Sequence, residues 1–434
     1  MMMRNDGRVP APRPFASVVV ALVLSLAACN GGGGALPAGS SVKITMGERG
    51  FEGPLSDGDW FGLSVASIGD LDGDGVAELA VGAGFDDDGG SDRGAVWILF
   101  LARDGSVRHQ QKISDSEGGF DGGLHDGDVF GRSVAALGDF DGDGVADIAV
   151  GARQDDERGV DSGAVWILLL HEDGSVKSWR KIGGPVEGSW FGISVAALGD
   201  LDGDGVTDLA ASSIFDDGGS VWILFLRSDG SVKTRQRIHG AAFGATGLFG
   251  ESLAAIGDVD GDGVVDLAAG ELEDDDGGPE FGAAWVLFLN RNGSLAHAQK
   301  ISAEEGGFDA TGFSPIEHFG AAVSALGDED GDGTPDLVVG ADLDDDGGTN
   351  RGAIWLLALD RDGRVKTQRK ISETAGDFTG SLADEDRFGR SVAPLGDLDR
   401  DGRQELAVGA IFDDAGGSDR GAVWLLQPAG AAPD

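Results

Sequence analysis

The chain alternates apolar and polar stretches in a pattern that recurs six times. In the first copy Leu63 to Ile68 alternates apolar and small residues, an acidic stretch follows, and Glu78 to Ala83 resumes an apolar run. An acidic turn over Phe85 to Gly90 leads into Ala95 to Leu101 (AVWILFL), whose unbroken β-branched and aromatic residues suit a strand buried on both faces. Arg103-Asp104-Gly105-Ser106 is a hairpin signal of the Asp-Gly kind. Val107 to Ser114 (VRHQQKIS) is mostly polar, as an outer edge strand should be. Each unit therefore predicts a four-stranded antiparallel meander running from apolar to polar.

The markers repeat in register. Phe-Gly pairs begin at Phe61, Phe130, Phe191, Phe249, Phe319 and Phe388, spaced 69, 61, 58, 70 and 69 residues apart. The third strand carries Trp97, Trp166, Trp222, Trp285, Trp355 or Trp424. No such unit can cover both of its faces alone, so radial stacking predicts an all-β, six-bladed β-propeller. The ends of the chain agree. The sixth unit stops after Gly421 to Gln427 without a polar fourth strand, while Ser41-Val42-Lys43-Ile44-Thr45 has no partner. Ile44 lies 17 residues before Phe61, the spacing of Ile113 to Phe130 and Ile371 to Phe388. The N-terminal strand is expected to pair into the last blade and close the ring, removing the open edge.

Composition sharpens this picture. With 77 Gly, no Tyr, 9 Trp and 21 Phe the chain has the turns and aromatics of a β protein. A formal charge of −44 disfavours nucleic acid and bare anionic membrane, favours a monomer, and would be relieved by bound cations. Residues 1–28 read as an export signal: three arginines before Pro14, then the apolar run Phe15 to Ala28. At 14 residues that run is short of the roughly 20 a bilayer span needs. Leu26-Ala27-Ala28-Cys29 resembles the lipobox of bacterial lipoproteins, which implies that Cys29, the only cysteine, carries lipid and anchors the chain at the cell envelope, on the outer membrane or cell surface. Residues 29–40 form a Gly-rich tether, 41–428 the propeller and 429–434 a short tail.

Between the first two strands of every unit stands an acidic loop, first seen as Asp70-Leu71-Asp72-Gly73-Asp74-Gly75-Val76-Ala77-Glu78. Three Asp at alternate positions, a glycine for the sharp turn and a fourth acid at position nine bring several hard oxygens to one point, which suits Ca²⁺ better than the stricter Mg²⁺. The candidate ligands are Asp70, Asp72, Asp74, the carbonyl of Val76, and Glu78 in the first copy. Asp139, Asp141, Asp143, Val145 and Asp147 serve in the second, and Asp200, Asp202, Asp204, Val206 and Asp208 in the third. The fourth has Asp258, Asp260, Asp262, Val264 and Asp266, and the fifth Asp328, Asp330, Asp332, Thr334 and Asp336. The sixth, with Asp397, Asp399, Asp401, Arg403 and Glu405, adds Arg400 beside the acids and is expected to be the weakest of up to six sites. Without a cation the clustered carboxylates would repel one another.

Phe-Gly, then Gly-Asp-x-Asp-Gly-Asp-Gly, then Leu-Ala-Val-Gly-Ala resembles the FG-GAP repeat of integrin alpha-subunit propellers and of the bacterial proteins that share it. The resemblance runs from Ser41 to about Gln427 and implies a metal-bearing propeller that binds a protein partner at the cell surface. The sequence departs from the pattern in lacking the Pro of the name and in placing Ala211-Ser212-Ser213 where the first unit has Val81-Gly82-Ala83.

A second acidic set, from Asp86-Asp87-Asp88 to Asp413-Asp414, joins strands two and three and must lie on the face opposite the metal loops. Solvation of turns and attraction of a cationic ligand both fit it. The same face carries the blade-to-blade connections, which span 17 or 18 residues before units one, two, five and six but 9 and 11 before units three and four. A low sector there, with Trp190 and Phe243, is the expected partner groove. Protein adhesion and glycan binding both fit such a face. The six histidines hold no repeated position and no nucleophile-base pattern appears, so no catalytic residue is assigned, with polysaccharide chemistry by paired carboxylates as the remaining enzymatic option.

Overall fold

In the computed structural model the described residues are Leu36, 39–314 and 316–428. The signal segment, Cys29 and the tail lie outside them, as does most of the tether. The rest forms six four-stranded sheets, each strand paired antiparallel to the next in sequence. Blade 1 comprises Ser64–Gly69, Glu78–Ala83, Ala95–Leu101 and Val107–Ile113. Blade 6 comprises Phe388–Gly396, Glu405–Ala410 and Ala422–Leu426, completed by Ser41–Ile44. The closing strand pairs Ser41 with Leu426 and Ile44 with Val423, as the spacing of Ile44 predicted. The fold is an all-β, six-bladed β-propeller.

The core is distributed among the blade interfaces. One apolar cluster joins Ala66, Val96 and Ile98 of blade 1 to Phe130, Val134 and Val150 of blade 2, and five further clusters do the same around the ring, the last joining blade 6 to blade 1. Second and third strands are buried on both sides, whereas the fourth is exposed along its middle, which is why its sequence is polar.

Packing also explains the Phe-Gly pair. Each Phe of the pair is buried, and in five blades it meets a connection phenylalanine that also touches the third-strand tryptophan: Phe51 lies 4.8 Å from Phe61 and 5.3 Å from Trp97. Phe120, Phe243, Phe308 and Phe378 repeat this. Phe243 is thus half-buried against the core, 5.0 Å from Trp285, instead of standing free as a groove wall. The glycine that follows Phe has a left-handed backbone (Gly131 φ 88°), and a Cβ on it would collide with the Ala95 carbonyl of the preceding blade. Across the same seam Ser64 Oγ donates to the Gly131 carbonyl at 3.0 Å, and Ser133, Ser252 and Ser391 donate to Gly192, Gly320 and Gly62.

Candidate functional site

All six acidic loops are the hairpins between first and second strands, so they share one end of the ring. Asp70 Oδ2 accepts the Gly75 N–H at 2.8 Å, Asp72 Oδ1 that of Asp74 at 3.1 Å, and Asp74 Oδ1 that of Val76 at 2.8 Å. Position five therefore fixes position seven, whose carbonyl is a candidate ligand; the same bond recurs at Val145, Val206, Val264, Thr334 and Arg403.

The acid at position nine behaves differently, because it is the first residue of the second strand and is buried. Asp147 accepts the Phe140 and Leu170 N–H groups, both at 2.9 Å, tying the loop to the end of the third strand. Asp208, Asp266 and Asp336 make the same two bonds. The longer Glu78 reaches only Leu71, at 2.5 Å, leaving its Oε1 buried without a hydrogen-bond partner. Burial, with the neighbouring carboxylates adding to it, lifts Glu78 to about 7 and Asp266 to about 7.

Positions one, three and nine come together in blades 1 to 3: Asp70, Asp72 and Glu78; Asp139, Asp141 and Asp147; Asp200, Asp202 and Asp208 each offer oxygens within 4.8 Å of one another. In blades 4 and 5 the set within that distance is positions one, three and five, Asp258, Asp260, Asp262 and Asp328, Asp330, Asp332. Buried oxygens without a hydrogen-bond partner occur in this ring at Glu78, Asp202 and Asp399. A cluster of hard oxygens with orphaned lone pairs fits a metal ion.

Fourth-strand cations share these loops, from one repeated position directly after the first valine of that strand: Arg108, Lys177, Lys233 and Lys366. Lys177 Nζ sits 2.5 Å from both Asp141 and Asp143, Lys233 2.7 and 2.6 Å from Asp202 and Asp204, and Lys366 2.6 Å from Asp330. Arg108 does the same for Asp72 and Asp74. Blade 4 has Ala296 at this position. In blade 6 Gln427 Nε2 donates to Asp401 at 2.8 Å, and Arg400 turns away to the Gly75 carbonyl of blade 1 at 2.9 Å.

At the opposite end the second acidic set is neither free nor merely solvating. Its first member is buried in every blade (Asp86, Asp155, Asp216, Asp274, Asp344, Asp413) and pairs with a fourth-strand cation. Each of those cations also lies over the third-strand tryptophan. Burial pulls Lys112 down, but Asp86 and Asp88 outweigh it and hold the ammonium above the usual lysine range.

Around the axis at this end runs a continuous series of edge-on and tilted ring contacts and cation-over-ring contacts. Arg387 lies 4.7 Å over Phe412, Phe412 4.9 Å from Trp60, and Trp60 4.2 Å from Phe85. Arg153 then bridges Phe85 at 5.8 Å and Trp190 at 4.5 Å, and Trp190 meets Phe215 at 4.7 Å. The arc covers blades 6, 1, 2 and 3, so of the two aromatics expected in a low sector near blades 3 and 4 only Trp190 faces it. Trp60, Trp190 and Arg387, each just before a Phe-Gly pair, have φ of 56°, 57° and 55°, a left-handed conformation that costs about 1 kcal/mol or more. Phe215 is 51% exposed.

The FG-GAP repeat model matches residues 61–99, 130–168, 319–357 and 388–426, the first three strands of blades 1, 2, 5 and 6. An FG-GAP-like repeat model matches 200–269, from the acidic loop of blade 3 through the second strand of blade 4. Integrin alpha-3 of Cricetulus griseus is 33% identical over 187 residues, 42% of this chain and 17% of that protein. Human integrin alpha-7 is 39% identical over 149 residues, 33% of this chain and 12% of that protein, and integrin alpha-4 of Xenopus laevis 35% identical over 161 residues, 36% and 15%. The aligned region is thus under a fifth of the length of these relatives. Since the repeat models fall on the blades that the strands themselves define and together cover more than half of the sequence, the chain belongs to the FG-GAP repeat family, with an integrin-like propeller.

Proposed function

We propose that this chain is a calcium-stabilised binding module of the cell surface, exported and held by lipid on Cys29, that recognises a protein partner with the face opposite its metal loops. The observation that carries the reading is the arc from Arg387 to Phe215. It places seven aromatic or guanidinium groups in one contiguous series around the axis, where a packed core has no use for them. Large aromatic rings and arginine are the side chains that anchor protein interfaces. The likeness to integrin alpha subunits supports the same placement and role. Calcium fits the loops through its preference for several carboxylate oxygens, and it would brace the blades at a distance from the recognising face.

The test is capture of surface proteins by the purified chain with and without Ca²⁺, beside a glycan array. Trp190→Ala and Phe215→Ala should each weaken capture about tenfold or more, the loss expected of an interface anchor. Capture indifferent to both would sink the reading. Binding on the array alone would favour glycan recognition, which the exposed ring of Phe215 also suits.

A further inference from the structure

At the axis, inside the aromatic arc, three blades send one residue each from the position after Phe-Gly: Arg132 of blade 2, Glu251 of blade 4 and Arg390 of blade 6. Both guanidiniums close on the same Glu251 oxygen, Oε1, with Arg390 at 2.5 Å. The remaining blades offer Leu63, Ile193 and Ala321 at this position. Arg390 and Arg387 also stand 3.9 Å from Asp342 Oδ2, and His318 Nδ1 lies 3.2 Å from Asp342 Oδ1. Three arginines thus share two buried carboxylates, Glu251 and Asp342, while Arg153 stands against the rings of the arc without a carboxylate of its own.

The imbalance is anomalous on a chain of formal charge −44. It is also incompletely satisfied, since the buried Nε atoms of Arg132, Arg153 and Arg387 have no hydrogen-bond partner. Arg132 is 5% exposed, so its guanidinium has little access to water to make up the difference. A cavity of about 80 Å³ opens at this point, lined by Leu63, Arg132, Glu251, Ala321 and Arg390. Arg132 brings a buried donor without a partner to this cavity, with Arg390 beside it, and an unpaired guanidinium N–H lining a cavity is the requirement of a bound anion.

We propose that this axial arginine cluster is an anion site that takes a single side-chain carboxylate, Glu or Asp, from a protein partner whose surrounding surface is basic. The inference rests on the protein-binding reading above and names the chemistry of the contact. A planar carboxylate matches the guanidinium fork, and the aromatic arc encloses its aliphatic stem. The acidic exterior selects the rest of the partner, because a polyanion would be repelled by the same charge that attracts a basic surface carrying one acid.

The experiment uses the calcium-loaded full chain and a probe independent of any partner: N-acetyl-glutamic acid amide, with the glutamine analogue as control. Binding is followed by calorimetry and by the indole emission of Trp60 and Trp190. Saturable millimolar binding of the glutamate probe alone is expected, weakened at least about fivefold by Arg390→Gln and by Arg153→Gln. Arg153 makes ring contacts, so its variant keeps the Arg132–Glu251–Arg390 group intact and serves if Arg390→Gln fails to fold. Equal response to both probes, no saturable binding up to tens of millimolar, indifference to both variants, or preference for a uronic-acid oligosaccharide would each overturn the proposal. Failure here with continued dependence of protein capture on Trp190 would leave the binding face standing and remove only the carboxylate.

Discussion

Lys181 holds its ammonium 4.8 Å from the centre of the Trp166 ring and pairs it with the buried carboxylate of Asp155. The same three-part clamp ties the fourth strand to the third and to the loop between the second and third in every blade, closing with Lys43, Trp424 and Asp413 where the first and last strands of the propeller meet. Trp166 contributes a face rather than a donor, since its Nε1 is buried and unpaired.

Because Asp155 is 1% exposed, removing its cation should be costly. Lys181→Met is expected to destabilise the protein by about 3 kcal/mol, the scale of an uncompensated buried charge. Adding Asp155→Asn should recover a good part of it. Urea melts of the two single variants and the double variant give the coupling directly, and simple additivity would show that the pair is worth no more than a surface contact.

The seam between blades makes a second demand. Gly151 lies so close to the Gly192 carbonyl of the next blade that an added Cβ would fall well inside van der Waals contact. Gly151→Ala should therefore cost about 1–3 kcal/mol through overpacking. Gly131→Ala should cost more, because it adds a left-handed backbone to a clash with the Ala95 carbonyl. Equal melting temperatures for wild type and both variants would mean that the blades can separate freely.

Blade 3 shows how much of this was legible. Ser212 stands at the position of Gly151, and the glycine facing it, Gly250, is close to the Ser212 side chain instead of a carbonyl. The departure from the repeat was visible in the sequence, but not its effect on the seam. Strand order, blade number and ring closure were readable because period-two patterns and a fixed repeat length are local properties. The cation clamps also left a signal: Lys112, Lys181, Arg237, Lys300, Lys370 and Lys43 each precede the repeated isoleucine of the fourth strand. A polar fourth strand reads as solvent-facing, and that reading hides the clamp. The short connection that carries Phe243 does not reveal that its aromatic still reaches the core. Arg132, Glu251 and Arg390 left no trace, because their register position carries a different residue type in each blade and only the closed ring brings them together.

Calcium should raise stability through its linkage to the native state. At a concentration a hundredfold above its dissociation constant each occupied site adds about 2.7 kcal/mol, so a Ca²⁺ chelator should lower the melting temperature substantially. The lysines sharing the loops give the prediction a finer edge. Lys177 must leave Asp141 and Asp143 before a cation binds there, and the loss of a surface ion pair is worth about 0.5–1 kcal/mol. Lys177→Ala should tighten that site about twofold to fivefold, and Ala296→Lys should weaken the blade 4 site by the same factor. Calorimetric titration of both variants separates this competition from an indifferent surface lysine, which would leave each constant unchanged.

Stability should also fall as pH rises, for a reason separate from the metal loops. Asp59, Asp128, Glu317 and Asp386 occupy one register position, two residues before Phe-Gly, and each is buried beside the loop acid of its clamp. Each accepts a backbone N–H three residues earlier, as Asp59 Oδ2 does from Ser56 at 2.7 Å. Burial first, and the nearby carboxylate after it, lifts Asp59 to about 7 and Asp128 and Asp386 to about 6, and pushes Glu317 upward against Asp344. In the unfolded chain an Asp titrates near about 4. Between that value and 6 to 7 the folded state binds more protons than the unfolded one, so the stabilisation is complete below pH ~4 and is lost as pH climbs through the folded values. Asn is the permanently neutral counterpart, with an oxygen that keeps the bond to the backbone. In saturating calcium, the triple variant Asp59→Asn, Asp128→Asn, Asp386→Asn should melt within error of wild type at pH 5 and roughly 1–3 °C above it at pH 8. A lower melting temperature for the variant at pH 8 would show that these carboxylates are held charged, compensated by the clamp lysines, and would reverse the sign of the pH dependence assigned to them.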